Sequence, residues 1–351
     1  METAMLAQPE GKWISSFACN FAACGIGPGT EVALLCETQS RAANVMTARL
    51  ALAQLGAACV TVEVPTPPQT EIVPVRSTGA SDAIQHSRAV IAALSNVEVV
   101  VDCTVEGLLH APELPQILKS GARLMMVSNE HPEILERLGT DPEMEARVQS
   151  GVALIRAARQ MHVTSDAGTD LRISLENCPA GGNWGYCTLP GTRSHWPGGL
   201  IATFPNPGGV NGQLHLRPGD ANLTFKRYFE SEVVLTIEDD FVVGIDGKGL
   251  DAELLRSYFA AWNDRNAYAV SHVGWGMNPR ARWDSMVMYD KADTNGTEQR
   301  VFAGNFLFST GANEHAGRFT KGHFDIPMRG CSIALDGRPV VERGQLLGEL
   351  K

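Results

Sequence analysis

The feature that most constrains the fold is an alternation of strand-like and helix-like segments over the first 160 residues. Apolar, valine-containing runs at 31–37, 57–65 and 97–104 have the length and composition of buried strands. Segments long enough for helices separate them, at 40–56 and 82–96. Strands that alternate with helices of this length predict βαβ units and a parallel sheet with flanking helices.

Three further segments extend this pattern. Trp13, Phe17 and Phe21 recur at i, i+4 and i+8, which predicts an amphipathic helix before the first strand. Residues 122–128 form another apolar strand-like run, and 132–161 is largely helical in pattern. An α/β N-terminal domain is therefore predicted for residues 1–160.

The residue pattern changes near His162, where glycine, proline and short runs of alternating apolar and polar residues become frequent. These runs predict antiparallel strands, with turns at 239–240 and 246–247 and one helix at 250–264. The fold class expected is an α/β domain followed by an α+β domain rich in antiparallel strands, residues 161–351. The acidic cluster at 238–246 lacks the periodicity of a calcium loop, and solvated turn charges are expected there.

Charge and hydropathy exclude several partners. Lys and Arg number 29 against 39 Asp and Glu, a net charge of −10, and there is no basic run, so nucleic acid and anionic membranes are poor partners. No apolar stretch reaches the ~18 residues of a membrane span. Glu2 and Glu10 do not fit a basic leader, and the scattered cysteines without CxxC pairs indicate reduced thiols of a cytoplasmic protein.

A glycine-rich string, GIGPG at 25–29, resembles part of a dinucleotide-binding motif. The motif requires the glycines to follow a strand and to open a helix, whereas these follow a predicted helix and precede a strand. A turn is expected, and no NAD site.

Four histidines lie in stretches rich in Gly, Pro and Trp: His110, His195, His272 and His323. Such stretches shape loops around sites more often than regular cores. In the string GHFDIP, His323 and Asp325 are two residues apart in a strand-like run, so their side chains share one face. The pair could be part of a metal site, or a buried histidine hydrogen-bonded to its neighbour.

With His272 as a third ligand, these residues would form a site of two histidines and one carboxylate. This set leaves adjacent coordination positions open and is used by non-haem Fe(II) oxygenases. Zinc accepts the same ligands and would activate water for hydrolysis. Ligand type alone leaves both metals open.

Six segments of the chain resemble the family of 2,5-dihydroxypyridine 5,6-dioxygenases, and they lie at 108–113, 116–124, 194–199, 271–283, 304–313 and 323–337. The most specific strings are SHVGWGMNP and GNFLFSTG. The fold also resembles that of the leucyl-aminopeptidase-like metallopeptidases. The resemblance covers about the last three quarters of the chain, and the first 60 or so residues match weakly.

The resemblance implies a mononuclear Fe(II) site held by His272, His323 and Asp325. It also implies that His110 and His195 lie near the substrate, and that the strand ending at Ser309 lines the pocket. We expect His195 or His110 to act as the acid–base group, because the ordinary pKa of histidine, ~6.5, lies near the working pH. The reaction implied is cleavage of the C5–C6 bond of 2,5-dihydroxypyridine with O2, giving N-formylmaleamate. A homo-oligomer is implied as well.

One departure and two alternatives accompany this hypothesis. An acidic residue is expected in the loop before SHWPGG, and Asn183 stands near that place. A metal-dependent hydrolase acting on a small amide or aminoaromatic is the first alternative, although no second ligand cluster accompanies FLFSTG at 306–311. A binding protein that has lost its chemistry is the second.

Overall fold

The computed structural model describes residues 8–68, 70 and 81–351. Glu2, one of the two glutamates that do not fit a basic leader, lies outside the described residues. The strands of the first sheet are β1 Glu31–Glu37, β2 Ala58–Val64, β3 Val99–Asp102, β4 Arg123–Val127 and β8 Arg193–Trp196. Their order is β2-β1-β3-β4-β8, and every pair is parallel. The helices of this part are α1 Gly11–Ala23, α2 Ala42–Gln54, α3 Arg88–Leu94, α4 Leu114–Lys119, α5 Pro132–Arg137 and α6 Pro142–Ala157.

The parallel sheet is buried on both faces. Val32 and Leu34 of β1 pack in one apolar cluster with residues of α1 and α2, including Phe17. Their neighbours Ala33 and Leu35 point to the opposite face and pack with residues of α3 and α4. A central strand with apolar residues on both faces is what a helix-covered parallel sheet requires.

Two antiparallel sheets make up most of the remainder. The larger consists of β5 Gln160–Ser165, β6 Asp170–Ser174, β10 Val210–Leu216, β13 Val233–Glu238, β14 Phe241–Asp246, β18 Cys331–Leu335, β19 Arg338–Glu342 and β20 Gln345–Leu346. The smaller consists of β7 Ala180–Asn183, β9 Leu200–Thr203, β15 Val270–Gly276, β16 Phe306–Thr310 and β17 Phe324–Met328. Their strand orders are β14-β13-β10-β6-β5-β18-β19-β20 and β17-β16-β15-β9-β7. One apolar cluster joins these sheets.

The remaining regular elements are short, apart from one helix. They are the hairpin of β11 Ala221–Asn222 and β12 Arg227–Tyr228, and the helices α7 Leu250–Trp262, α8 Ser285–Met288 and α9 Thr297–Val301. Single 3₁₀ turns lie at Arg265–Tyr268, Glu314–Ala316 and Gly348–Leu350. The predicted fold class is confirmed by this arrangement. Within the described ranges, no helix has the length and apolar character to cross a bilayer.

The structure differs from the sequence-based expectations in four places. The helix predicted at 82–96 is wrong at its start: α3 begins only at Arg88, because His86 has φ +62° and interrupts helical geometry. Asp240 is a turn residue as predicted, but it is buried rather than solvated. Its carboxylate accepts from the backbone N–H groups of Gly208 and Val210, both at 2.7 Å.

The third difference concerns the segment around His195. Strand β8 follows residue 160 in sequence, yet it forms the edge of the parallel sheet, beside β4. The helical run predicted at 132–161 is likewise divided into α5 and α6 and gives way to β5 at Gln160. A domain boundary near residue 160 stays a prediction.

Candidate functional site

The metal-ligand candidates come from two strands of the smaller antiparallel sheet that are separated by one strand. His272 lies on β15, Asp325 lies on β17, and His323 immediately precedes β17. Strand β16 runs between β15 and β17, and its Ser309 is paired in register with Asp325. The sheet therefore brings together residues that are 53 positions apart in sequence.

The three side chains form a compact cluster. Asp325 Oδ1 lies 3.2 Å from His323 Nε2 and 3.8 Å from His272 Nε2. The imidazole centroids are 5.5 Å apart with 22° between the ring planes. One ligand atom from each residue lies within 4.8 Å of the other two. Two imidazoles and one carboxylate at these separations fit a single divalent transition metal.

Electrostatics keeps His272 and Asp325 in the protonation states that a metal requires. Burial lowers the pKa of His272 to about 4, so its imidazole is neutral at pH 7. Burial alone would raise the pKa of Asp325, but the positive charges of His323 and Arg300 hold it well below its usual range. Neutral imidazole and ionised carboxylate are the ligating forms.

Two serines contact the cluster. Ser271 Oγ lies 3.1 Å from His272 Nδ1, which leaves Nε2 facing Asp325. The fully buried Ser309 hydroxyl donates to Asp325 Oδ1 and lies 3.1 Å from His272 Nε2. Ser309 thus touches the candidate ligands, and its predicted contact with substrate stays a prediction.

Arg300 on α9 is the closest basic group to the carboxylate. Its Nε donates to Asp325 Oδ2 at 2.6 Å, and its Nη1 donates to the Asn295 carbonyl at 3.1 Å. Oδ2 is therefore occupied by Arg300, while Oδ1 faces the two histidines. The arginine fixes which oxygen of Asp325 is directed at the cluster.

A cavity of about 100 Å³ opens beside the cluster. His110 and His195 from the parallel-sheet side line it, together with Glu106 and Arg300. This volume is smaller than the ~150 Å³ cavity known to hold a benzene ring. A second cavity, of about 530 Å³, lies on the other side of His110 and shares His110 and His323 with the first. The site can take a small planar ring, with a wider approach next to it.

Both cavity histidines are held in the neutral form. Burial pushes the pKa of His110 well below its usual value, and the charge of the nearby His323 acts in the same direction. Burial, followed by the charge of Arg300, lowers the pKa of His195 to about 4. Each imidazole can therefore accept a proton at pH 7.

The loop that carries His110 is fixed by the buried Asp102 and by the exposed Arg193. The fully buried Asp102, at the end of β3, accepts from the backbone N–H of Thr104 at 2.9 Å and of Leu108 at 2.7 Å. Arg193 donates to the Leu109 carbonyl at 2.9 Å. Hydrogen bonds thus hold the backbone of the two residues that precede His110.

Asn183 supports His195. Its Oδ1 accepts from the His195 N–H at 3.0 Å and from Ser194 Oγ at 2.6 Å, and its Nδ2 donates to the His195 carbonyl at 2.9 Å. Nδ2 also lies 3.2 Å from His195 Nδ1. An amide can serve this mixture of donors and acceptors, whereas a carboxylate could not donate to the carbonyl.

A buried glutamate fixes the cavity-lining segment that leads into α9. Glu130, just after β4, accepts from the backbone N–H groups of Asn295 at 2.7 Å and Thr297 at 2.8 Å. This contact fixes the start of α9, one turn before Arg300. Burial raises the pKa of Glu130.

The sequence predicted the ligand candidates and both cavity histidines, and the structure places all five around one cavity. It missed Arg300, because nothing in TEQRV distinguishes it from a surface arginine. Two other arginines of this region do not reach the cavity: Arg280 donates to the Gly139 carbonyl, and the exposed Arg282 pairs with Asp284 at 2.8 Å.

A model of the 2,5-dihydroxypyridine 5,6-dioxygenase family matches residues 12–348. A curated 2,5-dihydroxypyridine 5,6-dioxygenase of Pseudomonas putida KT2440 is 42% identical over 267 residues, covering 76% of this chain and 75% of that protein.

Solved structures show the same likeness. A 2,5-dihydroxypyridine dioxygenase from Pseudomonas putida KT2440 superposes with a TM-score of 0.91 at 36% identity, over 98% of this chain and 100% of the other. AmpT from Thermus thermophilus shares the fold, with a TM-score of 0.64 at 14% identity over 96% and 99% of the two chains. The match over nearly the whole length, at this identity, places the chain in the 2,5-dihydroxypyridine 5,6-dioxygenase family.

Proposed function

We propose that this protein is a mononuclear non-haem Fe(II) dioxygenase that opens 2,5-dihydroxypyridine between C5 and C6 and forms N-formylmaleamate. Both atoms of O2 enter the product, which balances the reaction without another reductant. The observation that supports this most directly is the cluster of His272, His323 and Asp325, with one ligand atom from each residue within 4.8 Å of the others.

The donor set fits ferrous iron. Two imidazoles and one carboxylate oxygen would hold it on one side. Because Arg300 occupies Oδ2 of Asp325, the carboxylate would bind through Oδ1. When bound, iron would bring substrate and O2 side by side and draw electron density from the ring, so that their reaction becomes effectively intramolecular.

The protein's own groups handle the protons. His110 or His195 would accept the proton of the 5-hydroxyl group and later return one. Their lowered pKa values keep both rings neutral and able to accept at pH 7. The small cavity holds the ring between these histidines and the ligand cluster.

Reconstitution provides the test. Purified protein is loaded with Fe(II) without oxygen, mixed with 2,5-dihydroxypyridine, and then exposed to air. We expect loss of the aromatic absorbance, with one O2 consumed per ring and both labelled atoms of ¹⁸O2 in the product. The variant D325A serves as the control without activity.

The hydrolase alternative predicts different behaviour. Turnover that continues without oxygen in protein loaded with Zn(II) or Mn(II) would contradict the dioxygenase proposal. Absence of bound metal after reconstitution would contradict it as well.

A further inference from the structure

A basic cleft lies away from the metal-ligand cluster, between turns of the antiparallel sheets. Its volume is about 450 Å³, and Arg217, Arg329 and Arg343 contribute to its walls. No aspartate or glutamate among the described residues lines it. This is unexpected in a chain with a net charge of −10.

Two of these arginines are held side by side by one buried carboxylate. Asp220, 1% exposed, accepts from the backbone N–H of Arg217 through Oδ2 and from that of Arg329 through Oδ1, both at 2.9 Å. Arg217 Nη2 also donates to the Arg329 carbonyl at 3.0 Å. The carboxylate binds the two backbones and leaves both guanidinium groups directed elsewhere.

Glycines in the two turns make room for this arrangement. A Cβ on Gly219 would lie 2.4 Å from Arg329 Nη2, and a Cβ on Gly330 would lie 2.4 Å from Arg217 Nη2. Each turn therefore carries one arginine together with a glycine that accommodates the arginine of the other turn. Both glycines have positive φ, +92° and +71°, which glycine adopts without strain.

The guanidinium groups remain available to a ligand. Neither Arg217 nor Arg329 forms an ion pair with any residue in the described ranges. Arg329 packs over the Trp283 ring at 5.2 Å, which limits its freedom. Among the residues that the structure describes, Arg343 pairs only with the exposed Asp166, at 3.4 Å, and an exposed pair of this kind is weak and easily exchanged.

We propose that this cleft binds a small oxyanion with two negative charges, of the phosphate or dicarboxylate type. Guanidinium groups recognise such oxyanions through charge-assisted hydrogen bonds. The site is separate from the candidate metal centre, and its occupancy does not depend on the proposed reaction.

The test is calorimetric titration of the full-length, iron-loaded protein under anaerobic conditions. Inorganic phosphate and succinate are titrated separately, against sodium chloride at matched ionic strength. We expect a Kd of about 1 mM or tighter for at least one of them. Binding of phosphate alone or of succinate alone identifies which oxyanion the cleft prefers.

Variants assign the binding to the cleft. R217Q and R329Q should each weaken it about tenfold to a hundredfold, as expected for loss of a charge-assisted hydrogen bond, and R329K should weaken it less. R338Q, which changes an exposed arginine on β19, is the matched control and should bind the anion as the parent protein does. Thermal unfolding checks that each variant is folded.

Two results would overturn the proposal. The first is binding that persists in the R217Q/R329Q double variant, since that places the anion elsewhere, for example on the iron. The second is absence of binding to the parent protein. A change in the assembly mass of the double variant, seen by light scattering, would then assign the cleft to contact between subunits.

Discussion

The two walls of the candidate active site are built in different ways. His272 and Asp325 lie within strands of an antiparallel sheet, and His323 is joined to one of them, so backbone pairing sets their spacing. His110 lies in a loop, and His195 lies on the edge strand of the parallel sheet. The first wall carries the ligand candidates and the second carries the candidate acid–base groups.

The second wall depends on buried and half-buried polar side chains for its shape. Asp102 fixes the loop before His110, Asn183 fixes the backbone of His195, and Glu130 fixes the start of α9. We therefore expect substitution of any ligand in the first wall to abolish activity. Substitutions in the second wall should lower activity or stability by amounts that differ from residue to residue.

The largest effect is expected at the ligand wall. H272A, H323A and D325A should each lose iron in metal analysis after reconstitution, and turnover should fall below detection, because one of three ligands is removed. H162A, which alters a histidine paired with Asp170 on the larger sheet, is the control and should remain active. Full activity in any ligand variant would remove that residue from the set.

The second largest effect on turnover is expected when a cavity histidine is replaced. H110A or H195A should lower kcat about 10²–10⁴-fold, the usual contribution of general acid–base catalysis, with iron content unchanged. Steady-state kinetics and metal analysis of the same preparations separate this from ligand loss. If neither variant loses more than about tenfold in kcat, the acid–base assignment is wrong.

A smaller effect is expected at Arg300, which connects the two walls. R300K keeps the charge but loses the Nε donor to Asp325, so iron affinity should fall about 10–100-fold, as for other groups that orient metal ligands. Competition with a chelator measures this. R282K, at an exposed ion pair, should not change it.

Loop support should matter less for chemistry than for stability. D102N puts an amide donor opposite the Leu108 N–H or the Thr104 N–H, which should cost about 1–3 kcal/mol in the free energy of unfolding. We expect kcat to fall by no more than about tenfold and iron affinity to stay at the parent value. D246N, at an exposed position on β14, is the control in the same denaturation series.

The smallest effect concerns pH. Burial lowers the pKa of His195 to about 4, and a lowered pKa keeps the imidazole neutral down to that pH. If neutral His195 is required, kcat/KM should stay level as pH falls through ~6.5, the ordinary histidine value, and decline only toward 4. An acid limb at 6.5 that disappears in H195A would contradict the burial argument.

The sequence was sufficient for the fold class and for the ligand candidates. Alternating strand and helix patterns depend on local chain chemistry, and the His-x-Asp spacing on a strand places His323 and Asp325 on one face whatever surrounds them. Asp240 shows the limit of such patterns: a turn was predicted, but burial by distant segments was not, because burial depends on the packing of the whole chain.

By itself, the sequence determined the alternation of strands and helices in the first part of the chain and which residue types could hold a metal, since both follow from periodicity and side-chain chemistry. Only the tertiary structure decided that β8 joins the parallel sheet and thereby brings His195 to the cavity. Only it placed Arg300 against Asp325 and set Arg217 beside Arg329 on a shared carboxylate. The reason is physical: these contacts join residues far apart in the chain, and their geometry is fixed by packing that no local pattern contains.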